Sequence, residues 1–125
     1  MKYQGKKVLG VWMDFQHAYV IGTDGADYAT LKTIKREGHE EDDYKNERVE
    51  LSKEKLELKK YFKAIADEID QAHVLFIFGP GKAQEEFKNA LQDVHQFNGK
   101  DIVLGTSDKI SAKQMVARVK EHFDA

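Results

Sequence analysis

The sequence predicts an α/β fold: a single three-layer α/β/α domain built on one five-stranded mixed sheet. Three observations predict it. Three short β-patterned runs joined by turn residues fill the first third, amphipathic helical patterns alternate with apolar runs after them, and one of those runs, Val74 to Phe78, is apolar without interruption. At roughly 100–200 residues per domain, 125 residues make one unit, taken as 1–125. With 41% hydrophobic and 34% charged residues and one proline, the chain is globular with a charged surface and not low-complexity. The absence of cysteine excludes disulfides, thiolate metal sites and a Cys nucleophile, and suits a reducing compartment. The longest apolar run is far short of the roughly 20 residues that cross a bilayer, and no signal-peptide core opens the chain, so a cytoplasmic protein without membrane contact is expected. A net charge of -2 argues against a broad basic nucleic-acid surface, though not against a local patch.

Lys7 to Asp14 reads as the first strand, with Leu9, Val11 and Met13 on one face and Val8 and Trp12 on the other. The short connection Asp14-Phe15-Gln16-His17 leads to a second strand, Ala18 to Thr23. Asp24-Gly25 then turns the chain into a third, Tyr28 to Ile34, completing an antiparallel meander. From 35 to 51 the apolar period disappears, and six acids between Glu37 and Glu47 face only Lys45, a composition that favours a solvated, mobile acidic loop. Ser52 is an N-cap candidate for a helix to about Asp70 whose buried stripe is Leu58, Phe62, Ile65, Ala66 and Ile69, broadened by Leu56 and Tyr61.

Val74 to Phe78, bounded by Gly79-Pro80-Gly81, reads as a strand buried on both faces and lying beside the first strand. A helix from about Lys82 to Phe97 is expected to bury Phe87, Ala90, Leu91 and Val94. Asn98-Gly99 ends it before the last strand, Asp101 to Gly105. Ser111 and Gln114 form a capping box for a final helix with Met115, Val116, Val119 and Phe123 inward. A meander followed by two right-handed β-α-β crossovers favours the spatial strand order 3-2-1-4-5, a ribonuclease-H-like layout with helices on both faces. The first six residues are expected to fray.

Val11-Trp12-Met13-Asp14, His17-Ala18-Tyr19-Val20-Ile21, Phe78-Gly79-Pro80-Gly81-Lys82 and Glu85-Glu86-Phe87 together resemble the central domain of archaeo-eukaryotic peptide release factors and their Pelota relatives. The tail, Thr106-Ser107-Asp108-Lys109 and the run from Gln114 to Phe123, is similar to small bacterial proteins related to that domain. The resemblance covers most of the chain and implies a translation-type ribonuclease-H-like fold that contacts the ribosome or tRNA. The family's catalytic feature is a Gly-Gly-Gln loop between the third strand and the first helix. Here that interval holds only Gly38, so peptidyl-tRNA hydrolysis does not carry over. Glu40-Glu41-Asp42-Asp43 in its place would be repelled by ribosomal RNA phosphate.

Each candidate site has a structural reading beside the functional one. Gly79, Gly81 and Lys82 sit where a strand-to-helix turn points free N–H groups outward to an anion or RNA phosphate, and the same glycines equally permit a tight turn. The spacing is not that of a Walker A loop. Lys109, Lys113 and Arg118, with Lys120, form a basic strip for RNA on the last helix, or simply a solvated face. Asp14 and Asp108 are the acids that a metal-dependent nuclease or phosphotransfer enzyme would use, or Asx residues organising turns. His17, His39, His73, His95 and His122 show no metal-ligand spacing and no hydrolase triad, although His39 among acids is a weak candidate for a divalent ion. Trp12 and Phe78 read as core and not as base-stacking platforms. The leading expectation is therefore a noncatalytic translation-associated binding protein without metal or cofactor. A metal-dependent enzyme is one alternative, and a homo-oligomer or protein-partner adaptor using the edge of a short third strand is another.

Overall fold

The computed structural model describes Tyr3, residues 5–37 and residues 47–124, with the backbone alone at 47–51. Strand β1 (Val8–Met13) pairs antiparallel with β2 (His17–Asp24), which pairs antiparallel with β3 (Asp27–Lys35) across the Gly25-Ala26 turn. Helix α1 (Glu47–Ile69) carries the chain back to β4 (Val74–Gly79), which lies parallel to β1 with Leu9 opposite Leu75 and Val11 opposite Ile77. Helix α2 (Ala83–Gln92) and a 3-10 turn at His95–Phe97 lead to β5 (Asp101–Thr106), parallel to β4. Helix α3 (Ala112–Asp124) completes the chain. The strand order is β3-β2-β1-β4-β5, the 3-2-1-4-5 sheet expected from the crossovers.

The alternation in β1 divides the core in two. Leu9, Val11 and Met13 pack with Val20, Ile34, Leu75 and Ile77 beneath α1 and α2, where Tyr61, Ile65, Ile69, Phe87 and Leu91 come down on them. Trp12 packs with Ile21, Val74, Phe76 and Phe78 on the opposite face beneath Met115, Val119 and Phe123 of α3. All six residues of β4 are buried, as its unbroken apolar run requires. The expected capping box is formed: the Ser111 N–H donates to Gln114 Oε1 at 2.9 Å, and the Gln114 N–H donates to Ser111 Oγ at 3.2 Å.

Five expectations change. Helix α1 begins at Glu47 and not at Ser52, because the run from Glu47 to Leu51 holds no Gly or Pro and consists largely of competent helix formers. The last five residues of the expected acidic loop are thus helical, and its segment 38–46 lies outside the described residues. Leu56, assigned to the buried stripe, is 53% exposed. Helix α2 stops at Gln92, five residues early: β-branched Val94 is extended, and the 3-10 turn returns Phe97 to the core at 5% exposure. The third strand is not short, since its nine residues make it the longest of the sheet. Tyr3, in the stretch expected to fray, meets Phe123 edge-on at 5.4 Å between ring centroids.

The parallel strands β1, β4 and β5 all end on one side of the domain, and α2 and α3 begin there. Gly79 terminates β4 against β1 so closely that a Cβ there would lie 1.9 Å from the Met13 carbonyl oxygen. Gly81, two residues on, has open space around it but a φ of +69°. Gly79→Ala is therefore expected to cost about 3 kcal/mol or more, because backbone and not a flexible side chain stands in the way. Gly81→Ala is expected to cost only the left-handed penalty of about 1–2 kcal/mol. Urea unfolding of the two variants reads the difference, and equal losses would refute this account of the turn.

Candidate functional site

Asp14 follows β1 and holds the tight connection to β2. Its Oδ1 accepts the N–H groups of Gln16 and His17, both at 2.7 Å, while its own N–H donates to the His17 carbonyl at 3.0 Å. The Tyr61 hydroxyl of α1 donates to the Asp14 carbonyl at 2.9 Å. Lys109 reaches across from the loop after β5, its Nζ 3.9 Å from Asp14 Oδ2. Asp108 is exposed in that loop, where its carbonyl accepts the Ser107 hydroxyl at 2.9 Å. Among the described residues, no group of three His, Asp or Glu side chains converges to hold a metal.

The Gly79-Lys82 turn is built from the inside. The buried Gly79 carbonyl accepts two donors, the Ser107 N–H at 3.1 Å and Gln84 Nε2 at 2.9 Å, and Gln84 Nε2 also reaches the Gly105 carbonyl at 3.3 Å. Gln84, 1% exposed, therefore ties the ends of β4 and β5 together from the first turn of α2. The Trp12 indole N–H donates to Ser107 Oγ at 3.0 Å, which brings β1 into the same tie. Above these bonds lies an open cleft of about 410 Å3 lined by Gly79, Pro80, Gly81, Thr106, Ser107 and Asp108. Lys82 occupies the N-cap position of α2 without a side-chain cap, so the helix start presents N–H groups outward beside its ammonium. Glu85 and Glu86 in the first turn oppose part of that positive field. Sequence reading singled out the two glycines but missed Gln84 and Ser107. No local pattern marks them, because the strand groups that they tie together lie 5 to 95 residues away.

The cations of the last helix do not form one strip. Arg118 donates to the Thr106 carbonyl at 3.1 Å and lies over the rings of Phe76 and Phe78, 5.9 and 5.4 Å from their centroids. Lys120 pairs with Asp27 at 3.0 Å on the far edge of the sheet, and Lys109 faces Asp14. Lys82 and Lys113 are exposed and have no ion-pair or hydrogen-bond partner among the described residues. Gly81 thus lines the cleft, Lys82 and Lys113 stand exposed at the starts of α2 and α3, Lys109 turns to Asp14, and Arg118 holds the end of β5. Of the histidines, His73 accepts the Lys7 N–H through Nδ1 at 2.9 Å, His95 meets the Asn98 side chain at 3.3 Å, and His122 stacks on Phe76 at 4.0 Å. His17 is exposed at the first turn, and His39 lies outside the described residues. Trp12 and Phe78 are core residues at 3% and 0% exposure.

No family model and no curated protein matches the sequence. Solved structures match its fold over nearly the whole chain. Pelota from Archaeoglobus fulgidus superposes with a TM-score of 0.66 at 13% identity, covering 97% of this chain and 33% of that one. An archaeal translation termination factor gives 0.55 at 15% identity over 94% and 39%. Dom34 from Saccharomyces cerevisiae, a translation termination-like factor, gives 0.56 at 11% identity over 99% and 38%. The chain spans between about a third and two fifths of the length of these structures, and its fold is the one that the sequence resemblance implied.

Two predictions test the geometry around Asp14 and around Tyr28, whose hydroxyl donates to Asp124 of α3 at 3.1 Å. Asp14→Asn keeps an acceptor for the Gln16 and His17 N–H groups and is expected to change stability by less than about 1 kcal/mol. Asp14→Ala strands both donors and should cost about 1–2 kcal/mol in urea unfolding, and a larger loss for Asn than for Ala would overturn the assignment. The second concerns alkaline pH. Burial, then hydrogen bonding to Asp124, pushes the Tyr28 phenol up to about 12, and burial, then the Asp14 charge, also raises that of Tyr61. A raised phenol favours the folded state in its protonated form. The contribution from Tyr28 is therefore complete below pH 10 and is lost as pH rises toward about 12. Phenolate absorbance should lag behind that of the urea-unfolded chain in this window, and coincident curves would refute it.

Proposed function

We propose that this chain is a noncatalytic translation-associated binding module of the cytoplasm that contacts the ribosome or tRNA through the carboxyl edge of its parallel strands. The observation that carries this reading is the pairing of position with fold. Lys82 and Lys113, free of protein partners among the described residues, stand at the starts of α2 and α3 on one side of the domain. That domain has the architecture of Pelota and of termination factors. Dom34 is described as acting in RNA quality control and interacting with Hbs1, which supports a translation setting for the shared fold.

In this reading the free N–H groups after Gly81 and the ammonium groups of Lys82 and Lys113 meet phosphate oxygens, with Lys109 joining when it leaves Asp14. Gly79 and Arg118 serve the edge from below, Gly79 by closing β4 on β1 and Arg118 by holding the Thr106 carbonyl. Two or three lysines on phosphate set a shallow salt dependence, with log K falling against log salt at a slope of about -2. No helix among the described residues is long and apolar enough to cross a membrane.

Co-sedimentation with purified ribosomes tests this. The Lys82→Glu and Lys113→Glu double variant is expected to bind about tenfold more weakly than the parent, and rising salt should narrow the difference. Undiminished sedimentation of the double variant across that series would overturn the phosphate-facing edge.

A further inference from the structure

We propose that the outer edge of β3, roofed by α1, docks an extended acidic segment of a partner protein, which joins the sheet as a sixth strand. β3 is the last strand on its side of the sheet, so one row of its backbone N–H and C=O groups has no ladder partner among the described residues. Its nine residues offer more edge than any other strand. Helix α1 buries Tyr61, Ile65 and Ile69. A second flank, made by Lys53, Leu56, Glu57, Lys60, Ala64 and Glu68 at intervals of three or four, borders a groove of about 650 Å3 against the carboxyl half of β3. A strand laid along β3 enters this groove with α1 above it.

The groove states what such a strand carries. Leu56 on its helical wall is 53% exposed, and Leu31, just before its strand wall, is 45% exposed. Leu31 points to the α1 side, since a Cβ on Gly22 would touch both it and core residue Leu9. Two of the three exposed large hydrophobic side chains among the described residues therefore border this one edge and call for apolar residues opposite them. Of the lysines, Lys32 and Lys53 approach Glu68 and Glu57, each at 4.0 Å. Lys35 and Glu37 on the strand side and Lys60 on the helix have no partner among the described residues, which leaves the groove with one positive charge in excess for a carboxylate to complement. The main-chain ladder supplies affinity, and acidic and apolar side chains on the face turned to α1 supply choice. A second copy of this chain fits less well. Lys32 and Lys35 line the edge, and two like edges brought together would set these lysines against one another. β3 and β5 are opposite ends of the sheet, so this surface is independent of the Gly81–Lys82 edge.

The test uses the full chain and a fluorescent, end-capped peptide with Val and Glu in turn at every second position and Thr between them, followed by anisotropy. Binding is expected to weaken roughly fivefold for Lys60→Glu, the scale of one exposed ion pair, with circular dichroism unchanged. Two versions of the peptide, methylated at alternate backbone nitrogens in complementary sets, separate a strand ladder from simple charge attraction. One set faces β3 and should weaken binding about tenfold or more, while the other should leave it unchanged. Equal binding by both sets, indifference to Lys60→Glu, or no binding at millimolar peptide would each overturn the proposal. So would sedimentation showing a dimer of this chain with the β3 amides protected from exchange, which would assign the edge to a second copy.

Discussion

β4 has no side that it can turn to water. Its six residues are buried, and the phenylalanines of one face alternate with the aliphatic residues of the other, so both faces of the sheet must be covered at the same place. Each such side chain gains about 1.5–3 kcal/mol from burial, and no exposed alternative register retains that gain. α1 and α2 supply one cover and α3 the other. The three-layer arrangement follows from that requirement together with right-handed crossovers, which place β4 beside β1 and β5 beyond it.

The same strand organises the candidate phosphate-facing edge. Because Gly79 has no Cβ, β4 ends in contact with the backbone of Met13, and its carbonyl is free to take donors from Gln84 and Ser107. Trp12 closes the set through Ser107. These bonds hold the ends of β1, β4 and β5 and the start of α2 in fixed relation. A surface lysine such as Lys82 thus projects from a rigid frame, although it is itself unpaired among the described residues. Buried polar groups so arranged lend precision to an edge whose outer charges are few.

Local chemistry in the sequence is read correctly where partners are neighbours and less well where they are distant. The Ser111–Gln114 box needs only three residues of spacing, and it forms as expected. Leu56 is neither three, four nor seven residues from Leu58, Tyr61, Phe62, Ile65 or Ile69, so the helical period itself turns it out of the buried stripe and toward the groove beside β3. The basic strip of α3 fails for a tertiary reason. Period places Lys113, Arg118 and Lys120 on one helix, but Asp27 from β3 captures Lys120, and the rings of Phe76 and Phe78 lie under Arg118. Asp14, equally suited to a metal or a turn by its type, takes two N–H groups of its own connection.

By itself the sequence determined the layer order and the sheet. Periods of two and 3.6 residues, one unbroken apolar strand and glycine-bearing turns are local properties, and together with crossover handedness they leave one topology. Only the tertiary structure decided which charges are free, that Leu31 is uncovered, and that Gln84 and Ser107 join strands far apart in the chain. Ion pairs and buried hydrogen bonds depend on distances of a few ångströms between residues tens of positions apart. Those distances exist only once the layers have closed.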